Sequence, residues 1–538
     1  MVDLFQLVRT KLRTMSAASA CFICIAISVP FGAEAQTTAF RQAVAEAAAR
    51  DEALAAFYRG RTFDGVWTGE AGLARRNALM AALSDSQYHG LPAARYDVDA
   101  LMGRLASAGS ASDLGTLEVE LTKLYLQYAR DVSSGVVVPR NVDSGIVRQV
   151  SYAETSDLLA GLMGPRPTQF LRSLPPSTPE YGRLVAAKMR LVATQEAGGW
   201  GPTVNASKLE VGATGPDVIA LRDRLTAMGH MDRSLSATYD EALIGGVRAF
   251  QAAHGLAVDG DAGPATLEEI NVPITRRIQS ILVAMERERW FNRDRGDRHI
   301  WVNLTDFSAQ IIDQGEITFQ TRSVIGAVDP DRVTPEFSDV MEYMVINPSW
   351  YVPRSIVTKE YLPQLQRNPA AAGHMVITDS RGRVVNRNAV DFSQYTARTF
   401  PFAMRQPPSS RNALGLVKFM FPNKYNIYLH DTPAKSLFGR EVRAFSHGCI
   451  RLNDPFDFAY ALLAAQTDDP VGLFQSRLNS GKESSVRLDE PVPVHLIYRT
   501  AFTNEAGQIE FRRDVYGRDR RIWSALSREG VVVPGLQG

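Results

Sequence analysis

At about residue 299 the hydrophobic period of this 538-residue chain changes, and that change fixes its fold class. Before it, apolar residues recur at helical spacing, as in Leu117, Leu121, Leu124, Tyr125 and Tyr128, and again over 184–192. After it, residues 300–304, 309–313, 316–325, 426–430, 491–499 and 509–512 read as strands, with Asn504-Glu505-Ala506-Gly507 as a hairpin turn. A chain that is helical first and strand-rich later is a multidomain α+β protein. Its length suits two to four domains of about 100–200 residues each.

Punctuation divides it further. Residues from about 36 to 200 form a helical scaffold, interrupted by Gly164-Pro165 and Pro175-Pro176, with no paired nucleophile and base. Gly198-Gly199-Trp200-Gly201-Pro202 is a linker. Between about 205 and 271 lies a compact module. Pro216 and Asp217 open a helix carrying Val218, Leu221 and Leu225 that stops at Gly229. A second helix carries Val247, Phe250 and Gln251, and Asp259-Gly260-Asp261-Ala262-Gly263-Pro264 turns the chain into a third. His254 has no second ligand at a suitable spacing and reads as a packed side chain. Residues of about 272–298 form one more helix, expected to pack on the scaffold. The β-rich region runs from about 299 to 530. Within it, about 354–404 shows helical features at 356–366 and little strand, and reads as an inserted capping subdomain.

The first 35 residues read as an export signal: Arg9, Lys11 and Arg13, an apolar run over 15–31, then the cleavage triplet Ala33-Glu34-Ala35. The alternative is an uncleaved inner-membrane anchor, and either delivers the rest outside the cytoplasm. The exported part is formally neutral, with no basic stripe, which argues against a nucleic-acid partner.

Removal of that segment takes Cys21 and Cys24 and leaves Cys449, inside Ser446-His447-Gly448-Cys449-Ile450-Arg451. A lone cysteine makes no internal disulfide, and the lack of a resolving partner argues against a redox role. A nucleophilic role needs the thiolate, scarce near neutrality at a pKa of about 8.5. His430, at the end of a strand, and His447, two residues before the sulfur, are the candidate bases. An extended backbone would put His447 and Cys449 on one face. Gly448 permits a sharp turn that brings backbone N–H groups to a reacting carbonyl. Asn453-Asp454-Pro455 begins a helix, whose dipole is expected to favour a thiolate nearby. Arg451 suits a substrate carboxylate or an ion pair with Asp454 or Asp457.

Tyr428-Leu429-His430-Asp431-Thr432 followed by the cysteine segment resembles the catalytic signature of the L,D-transpeptidase (YkuD-type) family. Further pieces resemble its large Gram-negative subgroup: Asn347-Pro348-Ser349-Trp350-Tyr351-Val352-Pro353, Arg405-Gln406-Pro407-Pro408, Asn412-Ala413-Leu414-Gly415, Phe421-Pro422-Asn423 and Asp514-Val515-Tyr516-Gly517-Arg518-Asp519. Ser409 stands where relatives often carry glycine. The 205–271 module resembles the three-helix peptidoglycan-binding module of wall enzymes. The resemblance implies Cys449 as nucleophile and His430 as general base and acid, oriented by the main-chain carbonyl of Asp431. It implies Gly448 and Cys449 N–H groups at the oxyanion, with Ser446, His447, Arg451 and Tyr428 lining the site. It also implies a periplasmic enzyme that forms 3→3 cross-links between peptidoglycan stem peptides through a thioester, with no metal or organic cofactor. Peptidoglycan peptide and glycan are the implied partners, and carbapenem-type β-lactams the implied covalent inhibitors. The alternatives are transfer of the same acyl group to an outer-membrane protein or to water, and a non-catalytic wall-binding scaffold.

Overall fold

The computed structural model describes residues 31–533. The export-signal reading lies outside the described residues except at its end, where Ala33–Ala35 fall in the first turns of the helix Phe31–Ala48. Among the described residues no helix is long and apolar enough to cross a membrane.

The N-terminal third is helical. Its longest helix, Ala111–Ser134, starts at a capping box between Ser110 and Asp113. The helix buries Leu117, Leu121, Tyr125 and Tyr128 against Leu54, Tyr58, Trp67 and Leu79. Three shorter helices follow, Pro216–Ala227, Glu241–Ala253 and Pro264–Ile270. Val218, Leu221, Leu225, Val247, Phe250 and Ile270 are fully buried between them. His254 stacks on Phe250 with ring centroids 3.9 Å apart and bonds the Phe250 carbonyl through Nδ1. Burial pushes its pKa well below the ordinary value, as befits a packed side chain.

The helix Ile274–Trp290 is the spine of the molecule. Every residue from Ile281 to Trp290 is buried, including Glu286, Arg287, Glu288 and Arg289. A polar helix buried on all sides is stable only if each charge is paired. Arg277 pairs with Glu269 of the three-helix module at 2.7 Å. Glu286 takes the Val137 N–H of the scaffold (3.0 Å) and pairs with Arg289 (2.8 Å). Arg287 reaches Glu336 (2.6 Å) and Asp519 (3.0 Å) in the β-rich region. The helix therefore meets all three regions.

Nine strands make the main sheet. In spatial order they are Ala444–Ser446, Glu316–Gly326, Ile450–Leu452, Leu429–His430, Val417–Met420, Phe337–Ile346, Ser484–Ile497, Arg298–Asn303 and Ser308–Asp313. The last also pairs with Glu316–Gly326, so the sheet closes on itself. Ile300, Val302, Ile311, Met344, Phe419, Leu429 and Ile450 fill the interior, with Phe458 of the helix Pro455–Leu463.

The strand expected over 426–430 is shorter than its sequence suggests. Asn423 accepts the N–H groups of Tyr425 (3.0 Å) and Ile427 (3.2 Å), and Asn426 has φ +53°, so the chain turns until Leu429. The cap also departs from expectation. It holds a three-stranded sheet, Trp350–Tyr351, Ala403–Gln406 and Val376–Thr378, around Val357, Leu365, Ile377, Phe392, Phe400 and Met404. Runs of two to four residues are too short for an alternating pattern to show. The helical stretch is broken at Val357–Tyr361 into a π turn, since Pro363 has no N–H for the regular bond.

Glu336 joins the spine to the loop that carries Cys449. It is 1% exposed and accepts Arg287 (2.6 Å) and Arg518 (3.4 Å). Arg518 donates to the Thr334 carbonyl (2.8 Å), and the Thr334 hydroxyl donates to the Gly448 carbonyl (2.8 Å). Glu336→Gln leaves the buried Arg518 without an ion-pair partner and Arg287 with Asp519 alone, a loss of about 3–5 kcal/mol. Thermal melting of the variant is expected to show the β-rich region unfolding first and several degrees early. A melting curve superimposable on the parent's contradicts this role.

Candidate active site

Strand register assembles the site. Leu429–His430 runs antiparallel to Val417–Met420, with Lys418 opposite His430 and Phe419 opposite Leu429. It runs parallel to Ile450–Leu452, with Ile450 opposite Leu429 and Arg451 opposite His430. Phe419, Leu429 and Ile450 are fully buried in the core. Side chains alternate across a strand, so Lys418, His430 and Arg451 emerge side by side on the other face. Cys449, two residues before Arg451, shares that face. So does Tyr428, whose ring meets the His430 ring edge-on with centroids 5.6 Å apart.

The turn into Cys449 is braced from within. Gly448 has φ +114°, a conformation that favours glycine. The Ser446 hydroxyl donates to the Cys449 carbonyl (2.6 Å) and accepts the Gly448 N–H (3.0 Å). This corrects two expectations. Ser446 is buried and shapes the turn rather than lining the cleft. The Gly448 N–H is already engaged and does not face an oxyanion. The Cys449 N–H has no acceptor among the described residues and is the free backbone donor beside the sulfur.

Cys449 is followed by a strand, not by a helix, so the expected helix dipole does not act on it directly. Its Sγ donates to the Asn426 carbonyl at 3.4 Å, with no hydrogen bond to His430 in this state. Burial pushes the thiol up to about 11, while Tyr428, through backbone and hydroxyl, and the charges of Arg451 and Lys418 pull the other way. For His430, burial and the charge of Arg451 push the pKa down to about 3, against the opposing pull of the Asp431 carbonyl. The resting pair is therefore a neutral thiol and a neutral imidazole, in place of the expected thiolate.

His430 Nδ1 bonds the Asp431 carbonyl at 2.5 Å. A carbonyl only accepts, so the proton is assigned to Nδ1 and Nε2 keeps its lone pair. The Asp431 carboxylate faces away, taking the Leu416 N–H (2.9 Å) and Lys435 (2.9 Å). It fills the space beside Gly415, where a Cβ would meet it at 2.2 Å.

His447 is not brought to the sulfur. It turns outward and bonds Glu360 of the cap at 2.5 Å, where Arg332 also binds (2.9 Å). Asn412 holds both crossings into the cap, donating to the Pro348 (3.1 Å), Gln406 (3.2 Å) and Pro407 (2.9 Å) carbonyls. Arg451 pairs with neither Asp454 nor Asp457; Asp454 accepts Thr321 and Asn453 instead. Sequence reasoning missed Glu360 and Lys418. Lys418 had a signal: it interrupts the buried alternation of Val417 and Phe419, so it must leave the core face one strand away from His430.

Residues 52–187 match the model of a scaffold domain, 214–270 that of a "Putative peptidoglycan binding domain", and 297–472 that of the L,D-transpeptidase catalytic domain. A Haemophilus influenzae protein named "Putative L,D-transpeptidase" is 32% identical over 229 residues. The match takes in 41% of this chain and 45% of that relative, about half its length. Two solved structures overlap weakly. An L,D-transpeptidase of Xylanimonas cellulosilytica (16% identical, TM-score 0.17) covers 55% of this chain and 98% of its own. A fused Zn-dependent amidase/peptidase/peptidoglycan-binding domain-containing protein of Clostridium acetobutylicum (11% identical, TM-score 0.16) covers 54% and 99%. At these scores neither carries an argument.

The protonation states have a direct consequence. Alkylation by neutral iodoacetamide follows the thiolate fraction, so its rate on Cys449 should rise about tenfold per pH unit from pH 7 to 10. Mass-spectrometric rate measurements across that range check this. A plateau near neutral pH would mean a preformed thiolate–imidazolium pair.

Proposed function

We propose that this chain, which carries an L,D-transpeptidase catalytic domain behind a scaffold and a peptidoglycan-binding domain, cross-links peptidoglycan through a thioester on Cys449. The observation that carries the reading is the register that sets His430 beside Arg451, with Cys449 two residues before it and the Cys449 N–H unengaged among the described residues, inside the matched domain.

In this reading the donor is a tetrapeptide stem, and the reacting group is the carbonyl of its third residue, diaminopimelate. Sγ leaves the Asn426 carbonyl and attacks as His430 Nε2 takes its proton, so the anion forms only as it is consumed. The Cys449 N–H receives the developing oxyanion. The C–N bond to the terminal D-alanine breaks, and the imidazolium returns the proton to its amine. A diaminopimelate side-chain amine of a neighbouring stem then attacks the thioester, again losing its proton to Nε2. The product is a 3→3 amide and the free thiol. A neutral imidazole suits both half-reactions, because it must accept a proton before it gives one back.

The three-helix module supports a location at the wall, outside the cytoplasm; the periplasm is the compartment this reading assigns. The sulfur is also the expected target of carbapenem-type β-lactams, whose strained carbonyl presents the same electrophile.

Incubating the purified protein with disaccharide-tetrapeptide should yield an acyl adduct on Cys449 by intact mass and 3→3 dimers by muropeptide analysis. Cys449→Ala should abolish both. His430→Gln should slow adduct formation by about 10²–10⁴-fold. Adduct turnover without dimers would assign the acyl group to water or a protein amine; an unmodified parent after donor and carbapenem exposure refutes the enzymatic reading.

A further inference from the structure

We propose that Lys418 and Arg451 form a two-cation subsite that holds the carboxylate of the leaving residue, making the enzyme selective for donors with a free C-terminal carboxylate. The identity of the ligand rests on the acyl-transfer reading above; the anion preference does not.

Register is the first support. Lys418, His430 and Arg451 are consecutive neighbours across three strands, so one cation stands on each side of the imidazole, about 5 Å away at the backbone. All three leave the sheet on the side opposite Phe419, Leu429 and Ile450.

The second support is that neither cation is satisfied. No hydrogen bond or ion pair engages the Arg451 side chain among the described residues, and its Nε is buried without a partner. The Lys418 ammonium makes no hydrogen bond or ion pair among them either; it lies 5.9 Å from the centroid of the Tyr428 ring. The buried arginines of the spine helix are treated differently. Arg287 has Glu336 and Asp519, Arg289 has Glu286, and Arg277 has Glu269. A half-buried cation without an anion is unfavourable, and two side by side repel each other. Burial accordingly pushes both pKa values down, while the neighbouring Cys449 acts to raise them. An anionic ligand relieves both effects. Glu483, the carboxylate that acts on Lys418, accepts the Ser349 N–H (3.0 Å) and forms no ion pair with it.

Chemistry selects the ligand. A guanidinium grips a planar carboxylate through two parallel N–H groups, and an ammonium adds a point charge. In a peptide donor whose scissile carbonyl lies at Cys449, the carboxylate of the departing residue is the anion nearest the reacting bond. Holding it fixes which bond faces Sγ and restricts cleavage to the terminal residue.

Competing alkylating reagents test this on the intact protein. Each forms one S–C bond at Cys449 and expels iodide; iodoacetate carries a carboxylate and iodoacetamide does not. The parent is expected to react with iodoacetate faster, relative to iodoacetamide, than a free thiol does. Lys418→Met and Arg451→Met should each lower that ratio about tenfold, and Lys418→Arg should keep it, which excludes a collapsed site as the cause. Parallel slowing of both reagents would show that the cations serve only the thiolate and would overturn the subsite. An unchanged ratio would overturn it too. Donor tetrapeptides ending in carboxylate or carboxamide separate this from the enzymatic reading: with the subsite, the carboxamide raises KM about tenfold or more in the parent and little in Lys418→Met. If neither donor acylates Cys449 while the reagent ratio behaves as expected, the transpeptidase reading fails and the anion subsite stands.

Discussion

The site depends on one parallel pairing, between Leu429–His430 and Ile450–Leu452. Two strands of two and three residues have little stability of their own. They are fixed because Phe419, Leu429 and Ile450 are packed into the core on one face, which commits the other face to His430, Arg451 and Lys418. A slip of one residue would turn the imidazole into the apolar core and put leucine in its place on the opposite face. The turn that delivers Cys449 is fixed in the same spirit: Ser446 binds it from inside, and Thr334 ties the Gly448 carbonyl to Arg518 and Glu336. Through Arg287 that chain of contacts ends on the helix Ile274–Trp290, which also holds the scaffold and the three-helix module. The geometry of one sulfur is thus supported from all three regions.

Burial has two consequences at this site. It disfavours the thiolate and the imidazolium alike, so the resting pair is neutral and the proton moves only during attack. It also strengthens the field of the two unpaired cations, because charges interact more strongly where water is scarce. The cap contributes to that exclusion. Its Glu360 reaches His447 and Arg332 beside the Cys449 turn, and Asn412 clasps both of its connections. His447 thus acts as a contact for the cap, which leaves His430 as the imidazole proposed for the proton transfer.

Much of this was legible in the residues. The helices of the small module follow from Pro216 and Pro264 at first helical positions and from apolar residues at 3.6 spacing. Cys449 and His430, which the signature proposes as nucleophile and base, come from neighbouring segments, and the Asp431 carbonyl lies against the His430 ring as expected. Long-range detail was not legible. The cap's strands are too short to alternate, and a side-chain bond from Asn423 shortens the strand before His430. Whether the Gly448 N–H is free depends on the Ser446 hydroxyl, a contact that composition cannot reveal. The unpaired state of Arg451 is likewise a tertiary fact, since Asp454 stands close in sequence and binds elsewhere.

The central claim is a neutral thiol–imidazole pair held in register by two short strands. Nitrogen-15 NMR of the imidazoles, with His430 assigned by its loss in His430→Gln, reads the protonation state directly. Between pH 5 and 8 the account predicts a neutral His430 ring protonated at Nδ1 and bare at Nε2, with no titration. A ring protonated on both nitrogens at neutral pH, discharging in step with Cys449, would contradict it.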